Sequence, residues 1–366
     1  MKYLLSVICL CFMIAASAQN INWRQGIITD EFIYDTAPYP SCHASTIAET
    51  PAGLVAAWFG GTEERNPDVC IYLSRMVNNK WQTPVQVADD IVNDTLRYPC
   101  WNPVLYQMPG GELLLFYKIG PSPSTWKGWL KRSTDNGLTW SAAEALPDGF
   151  LGPIKDKPVM VGNKLICPSS TENNGWHVHL EVTADAGKTW SMIKLDSSME
   201  AIQPSLLTYQ NGHLQIVCRT KSRCIASAWS NDNGKTWSAL TCTELPNNNS
   251  GIDAVTLNNG LQLLVYNHVL PPAGAGNGSG ARTPLNVALS KDGKQWYASV
   301  VLEDSPISEY SYPAVIQSKD GMIHIVYTWR REKIKYVKID PSKLQMIDMN
   351  KSGWNTMKIN TDKKGH

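Results

Sequence analysis

The sequence predicts an all-β chain folded as a six-bladed propeller of four-stranded antiparallel blades, with the N-terminal strand closing the ring. Three observations carry this. Tryptophans 81, 140, 190, 237 and 296 recur at intervals of 47 to 59 residues, each ending a copy of one octet. A repeat of that length is characteristic of propellers and other arrays. Paired short apolar runs joined by glycine turns precede each octet, and no stretch shows a helical hydrophobic period.

The octet is clearest at Ser133-Thr134-Asp135-Asn136-Gly137-Leu138-Thr139-Trp140 and at Ser230 to Trp237, with a close copy from Thr183 to Trp190. Ser290 to Trp296 is one residue short, and Ser74 to Trp81 keeps only the Ser and the Trp. An Asp among small polar residues folds its carboxylate onto nearby N–H groups, and a following Gly supplies positive φ. The Trp then starts the next strand and lays its ring over the turn. Each octet therefore reads as a pinned hairpin turn rather than a ligand site.

The first two strands of each unit are expected at 44–49 and 54–59, 104–108 and 112–118, 158–161 and 164–168, 205–209 and 214–219, 254–257 and 262–267, and 314–317 and 322–329. The turns between them carry Gly53, Gly110-Gly111, Gly162, Gly212, Gly260 and Gly321, all hairpin chemistry. Only one strand, 333–339, follows the sixth pair, so the segment 26–34 is expected to complete that blade. Residues 271–280 read as a mobile Gly/Pro-rich loop, and the tail from 351 to 366 as polar and loose. The propeller itself spans 19–350.

Residues 1–18 read as a signal peptide: Lys2, an apolar run from Leu4 to Ala15, then Ala16-Ser17-Ala18. The run is too short to span a membrane, which predicts an exported protein, periplasmic or extracellular, without a membrane span and monomeric. A net charge of +1 argues against a nucleic-acid partner. Seven cysteines remain after the leader, an odd number scattered singly, which is not a disulfide framework. Most are expected to be buried, and Cys218 and Cys224 are candidates to face each other across one hairpin. Fourteen Trp against five Phe leave rings beyond the octets for stacking on sugars.

Antiparallel geometry places the starts of first strands and the ends of second strands at one mouth of the channel. That selects His43, Trp101, Asn102, Lys155, Lys157, Gln203, Asp253 and Tyr312 at strand starts. Lys118, Glu172, Arg219 and Arg330 come from strand ends, and Glu63, Glu64, Asp68, Trp126, Trp176, His177, His179 and Arg282 from the loops. A near-neutral chain thus gathers cations at one rim. Guanidinium groups grip a carboxylate through two parallel hydrogen bonds, and aromatic rings suit a sugar face, so an acidic glycan is the expected ligand. His177 and His179 share a strand face but lack a third clear ligand, so neither a metal nor a cofactor is expected.

The octet resembles the Asp-box, S-x-D-x-G-x-x-W, of the sialidase superfamily, and the resemblance covers roughly residues 25–340. It implies a sialidase-type propeller in which three Arg clamp the substrate carboxylate, a Tyr paired with a Glu is the nucleophile, and an Asp is the acid/base. Arg219 and Arg282 match two clamp arginines, Tyr312 matches the nucleophile, and Asp68 or Glu63 lies in the acid/base loop. Two positions depart from the pattern. Pro40-Ser41-Cys42-His43 stands in place of the Arg-Ile-Pro signature, and Gln203 in place of the Glu. The chain is therefore closer to divergent Asp-box repeat proteins. The expected activity is an exo-glycosidase hydrolysing a terminal acidic sugar, sialic acid-like or uronic. Tyr312 would be nucleophile or base, and His43 with Asp68 or Glu63 would handle protons. Arg219, Arg282, Lys118, Lys155, Lys157, Trp101, Asn102, Gln203, Asp253 and Arg330 would bind substrate. Elimination on a uronate, with His43 and Tyr312 as the proton-handling pair, and a non-catalytic glycan-binding propeller are the open alternatives.

Overall fold

Short strands with one apolar face bury little alone, and repetition around an axis lets each sheet cover its neighbours. The computed structural model describes residues 21–354 except 92, 94, 95, 197 and 353. The expected signal peptide and residues 355–366 lie outside the described residues. Six antiparallel sheets follow one another along the chain. Their innermost strands are Ser41–Thr50, Cys100–Gln107, Val159–Val161, Ala201–Thr208, Asp253–Thr256 and Tyr310–Gln317. The sixth sheet runs outward through Ile323–Trp329 and Lys333–Ile339 to the N-terminal strand Ile27–Phe32, which pairs antiparallel with Lys333–Ile339. The N-terminal strand thus completes the last blade and closes the ring.

The turn glycines behave as their positions require: Gly53, Gly111, Gly162, Gly212, Gly260 and Gly321 all have positive φ. Between blades the core is aliphatic and aromatic. Trp58 and Ile47 of the first blade pack with Val326 and Tyr336 of the sixth, and Leu73 with Leu105 and Leu115 of the second. Each fully buried Leu or Ile contributes roughly 1.5–3 kcal/mol.

The Asp-boxes carry the expected contacts. Asp232 Oδ1 accepts from the amides of Lys235 and Thr236 at 3.0 and 2.9 Å, and Oδ2 from the Thr236 hydroxyl at 2.6 Å. Asp135 and Asp185 repeat the pattern. Those bonds hold the carboxyls of Asp135 and Asp232 down at about 2. The Trp237 indole donates to Gly234 O at 3.0 Å. Each box also seats on the preceding blade: Gly137 lies against Val55, Gly187 against Leu130, and Gly234 against Ile166. The boxes rivet neighbouring sheets together, at the opposite end of the strands from the mouth.

Three local expectations are corrected. Cys224 is disulfide-bonded to Cys242, across the third and fourth strands of blade four, and Cys218 is free and buried. Cys218 pairs in register with Ala226, which puts Thr220, not Cys218, opposite Cys224. The segment 271–280 is tied down: Asn249 Nδ2 donates to Asn277 O at 2.6 Å and Gly280 N to Asn248 O at 3.1 Å. Beyond residue 340, Ile347–Asp348 adds a fifth strand to blade five, and Trp354 is buried against Trp23 and Tyr266. The start of the tail is therefore packed, not loose. No helix among the described residues is long and apolar enough to cross a membrane.

Candidate active site at the mouth of the propeller

Four of the six innermost strands break register where they enter the mouth. The shifts fall between His43 and Thr46, Trp101 and Val104, Ile202 and Ser205, and Ser311 and Ala314. Within each bulge one non-glycine residue has positive φ: Ala44 at 55°, Asn102 at 35°, Gln203 at 53° and Tyr312 at 50°. Bulges re-aim side chains, and left-handed backbone on a bulky residue is strained. Asn102, Gln203 and Tyr312 each precede a proline, which removes an N–H that the broken ladder would leave unpaired.

Tyr312 is the centre of what these bulges assemble. Its hydroxyl accepts from Arg219 Nη1 at 2.7 Å and from Gln203 Nε2 at 3.2 Å. Gln203 Oε1 accepts from the same Arg219 Nη1 at 3.2 Å, which fixes its amide as the donor to tyrosine. Lys155 Nζ, Arg219 Cζ and Arg282 Cζ stand 5.7, 5.8 and 5.7 Å from the Tyr312 ring centre. The His43 ring lies 4.1 Å away, centre to centre.

His43 is almost fully buried, and its Nε2 lies 3.5 Å from Arg331 Nη2. A guanidinium cannot accept, so Nε2 is the acceptor, and Nδ1 then donates to Thr328 Oγ1 at 3.0 Å. Burial, reinforced by the charges of Arg331, Arg282, Arg219 and Lys155, holds the imidazole well below its usual range. The neutral form of the imidazole is favoured there. Glu309 joins the cluster by accepting from Arg282 Nη1 at 3.0 Å, Arg331 Nε at 3.2 Å and Ser311 Oγ at 2.7 Å. Burial alone would raise its carboxyl, but Arg282 and Arg331 outweigh that and lower it.

Several expected ligand-binding residues are committed elsewhere. Lys155 Nζ donates to Asp156 at 2.6 Å and to the carbonyls of Ile252 and Pro313, both at 2.8 Å. Lys157 pairs with both oxygens of Asp253 at 3.0 Å. Asp253 also accepts from Ser205 Oγ and from Val315 N, each at 2.7 Å, and so staples blades four, five and six. Lys118 is fully buried on backbone carbonyls of Pro153 and Asn102, and burial lowers it to about 7. Trp101 is buried with its indole on Gly120 O at 2.7 Å, and Asn102 is buried beside it. Arg330 stacks on Trp329, 4.3 Å from the ring centre. Asp68 caps its own loop through the Thr62 amide and hydroxyl at 2.8 and 2.7 Å, while Glu63 is exposed. His179 donates to buried Glu181 at 2.9 Å and His177 faces Asn174 O at 3.1 Å. Among the described residues no group of three or more His, Cys, Asp or Glu could hold a metal ion.

Other rim residues take the places those vacate. Arg331 reaches the site although Arg330 was the expected neighbour, because the turn aims the two side chains apart. Glu64 pairs with Arg331. Glu172 lies beside Arg219, Lys221 and Trp176, and burial raises its carboxyl against the pull of both cations. The Trp176 ring faces Arg219, 5.2 Å from Cζ. Rim position alone could not rank these residues; only the direction of each side chain does. A cavity of about 760 Å³ between blades four and five, lined by Arg223, Trp296 and Trp354, contains none of this cluster. A smaller cleft of about 290 Å³ is lined by Trp126, Phe150 and Glu172.

The family model described as a BNR repeat-like domain matches residues 52–325. An anhydrosialidase from Macrobdella decora is 24% identical over 240 residues, which cover 56% of this chain and 30% of that protein. The chain thus spans less than a third of this relative's length. A protein of unknown function from Dyadobacter fermentans superposes with a TM-score of 0.70 at 16% identity, covering 86% of this chain and 99% of the other. The intramolecular trans-sialidase from Ruminococcus gnavus, solved with oseltamivir carboxylate, superposes with a TM-score of 0.66 at 14% identity, covering 87% and 98%. With the family matched over most of its length and a six-bladed sheet ring at this mouth, the chain belongs to the BNR repeat-like family and is a member of the sialidase-like superfamily.

Proposed function

We propose that the protein is an exo-glycosidase that hydrolyses a terminal acidic sugar, with sialic acid the first candidate and a uronic acid the second. The observation that carries this is the convergence of Arg219 and Arg282 on Tyr312 at a strained bulge, with a third guanidinium at His43. The names of the relatives favour sialic acid, and the reading of residues 1–18 as a signal peptide favours export.

The sugar carboxylate would lie between Arg219 and Arg282, above the Tyr312 ring. Tyr312 oxygen would attack the anomeric carbon as the bond to the leaving oxygen breaks. An uncharged phenol can approach an anionic sugar without charge repulsion, which a carboxylate cannot. Glu172, with its raised carboxyl, would protonate the leaving oxygen, and the cleft past Trp126 would take the rest of the glycan. The phenolic proton would pass to water at the mouth, since Gln203 donates to that oxygen and cannot accept it. Water would then attack the tyrosyl-linked sugar and give a proton back to Glu172, while the departing tyrosine recovers its own. Asp68 and Glu63 would shape the loop beside this path.

A panel of acidic glycans, read for released monosaccharide and for near-ultraviolet absorbance, tests the reading. Free acidic sugar without new absorbance supports hydrolysis; an unsaturated, absorbing product, or no cleavage of any member, would overturn it.

A further inference from the structure

Arg330 and Arg331 form the two central residues of the turn between the second and third strands of blade six. Both have positive φ, 53° and 59°, and Glu332 N closes the turn on Trp329 O at 3.1 Å. Left-handed backbone at consecutive turn positions favours Asn and Gly, since other side chains are strained there. Arginine at both places works against the backbone, so the side chains must justify it. Arg330 stacks on Trp329, which accounts for one of them.

Arg331 is directed inward. Cys42 N donates to its carbonyl at 2.7 Å, tying the turn to the strand that carries His43. Its guanidinium spans three anchors: Glu309 on Nε, Glu64 on Nη1 and His43 Nε2 on Nη2. Of its five donor hydrogens two are left over, and the side chain is 30% exposed. Glu309 holds Arg282 and Arg331 on the same oxygen, which fixes one guanidinium relative to the other. His43 stands in the first blade where the resemblance calls for an arginine.

We infer that Arg331 is the third cation of the carboxylate clamp, delivered from the blade-six turn instead of the first strand of blade one, with His43 as its neutral seat. The inference rests on the acidic-sugar reading above. In this role His43 is a positioning residue. A charged imidazole there would repel the guanidinium, and a second arginine would compete for its place. The clamp keeps three guanidinium groups, but one of them enters from the blade-six turn.

The test uses the full chain and four probes: the methyl glycosides of N-acetylneuraminic acid and of glucuronic acid, and the carboxyl methyl ester of each. Binding is measured by calorimetry for the wild type, Arg219→Ala, Arg331→Ala and Arg331→Lys. Arg331→Ala is expected to weaken the bound acid by about 10- to 100-fold, the range for a hydrogen bond to a charged group, and its ester by less than about twofold. Arg331→Lys keeps the charge and is expected to fall between, and it serves if the alanine variant does not fold. An arginine that only knits blades six and one together would weaken acid and ester alike. That outcome, or wild-type affinity for the acid in Arg331→Ala while Arg219→Ala loses it, overturns the inference and leaves the acidic-sugar reading intact. If the wild type binds neither acid, the reading itself fails and the inference falls with it.

Discussion

The Tyr312 hydroxyl accepts from Arg219 Nη1 at 2.7 Å, a bond that joins the first strand of blade six to the second strand of blade four. Gln203 closes the other side of the same oxygen at 3.2 Å. Both neighbours donate, so the phenol is held in place and oriented, but neither neighbour takes its proton. This arrangement separates the chain from a tyrosine–glutamate pair, and it makes position 203 the most informative one to change.

Gln203→Glu keeps an acceptor for Arg219 and adds a carboxylate that can take the phenolic proton. Initial rates on a 4-methylumbelliferyl acidic glycoside are expected to rise by about 100-fold, the low end for a positioned base, with little change in KM. A fall in kcat with the fold intact would show that the amide donor is itself required.

His43 sets a pH dependence of stability. The folded protein carries it neutral, whereas the unfolded chain takes up a proton below about pH 6.5. Its contribution is present above pH 6.5 and is lost as pH falls from there toward the lower folded value. The melting-temperature advantage of the wild type over His43→Gln is therefore expected to shrink between pH 7.5 and 5.5. A constant difference across that window would mean that the fold leaves the ring's titration unshifted, and a difference that grows toward pH 5.5 would mean that the ring is charged in the folded state.

Lys118 provides a contrast, since it is buried and sits on carbonyls out of reach of a ligand. With a folded value of about 7, it is neutral in the fold and charged in the unfolded chain over the window up to about 10.5. Its stabilising contribution grows as pH rises from 7, so the stability of the wild type relative to Lys118→Met should increase between pH 7 and 9. Substrate KM is expected to stay within about twofold. A large rise in KM would restore Lys118 as a binding residue.

The Asp-boxes act on stability alone. Asp232→Ala removes the acceptor of two amides and a hydroxyl and loosens the seat of Gly234 on Ile166. A fall in melting temperature of roughly 2–4 °C or more is expected, with kcat and KM unchanged. Altered KM at unchanged stability would contradict a purely structural box.

The periodic residues made the fold legible. Five tryptophans and six glycine turns set the blade frame, and the strand 333–339 lies where the sequence puts it. The mouth was legible as a set of positions, not as a site. Lys155, Lys157 and Asp253 lie at the rim, but burial makes them pair with protein groups before any ligand arrives. Arg331 and Arg330 are adjacent in sequence and diverge only because the turn between them is left-handed at both residues. The bulges that aim Tyr312 and Gln203 left one trace, the proline after each, whose bearing on register shows only once the strands are paired. Cys224 found Cys242 rather than Cys218 for the same reason, since strand register decides which side chains meet.

The central claim is that Tyr312, held by Arg219, cleaves a terminal acidic sugar. The most direct measurement is the single-turnover release of sugar from the best acidic glycan by the wild type and Tyr312→Phe, with binding of the same glycan measured in parallel. Loss of the hydroxyl is expected to cut the rate by about 1000-fold or more while binding changes by less than about tenfold. A Tyr312→Phe protein that releases the sugar at the wild-type rate would contradict the account.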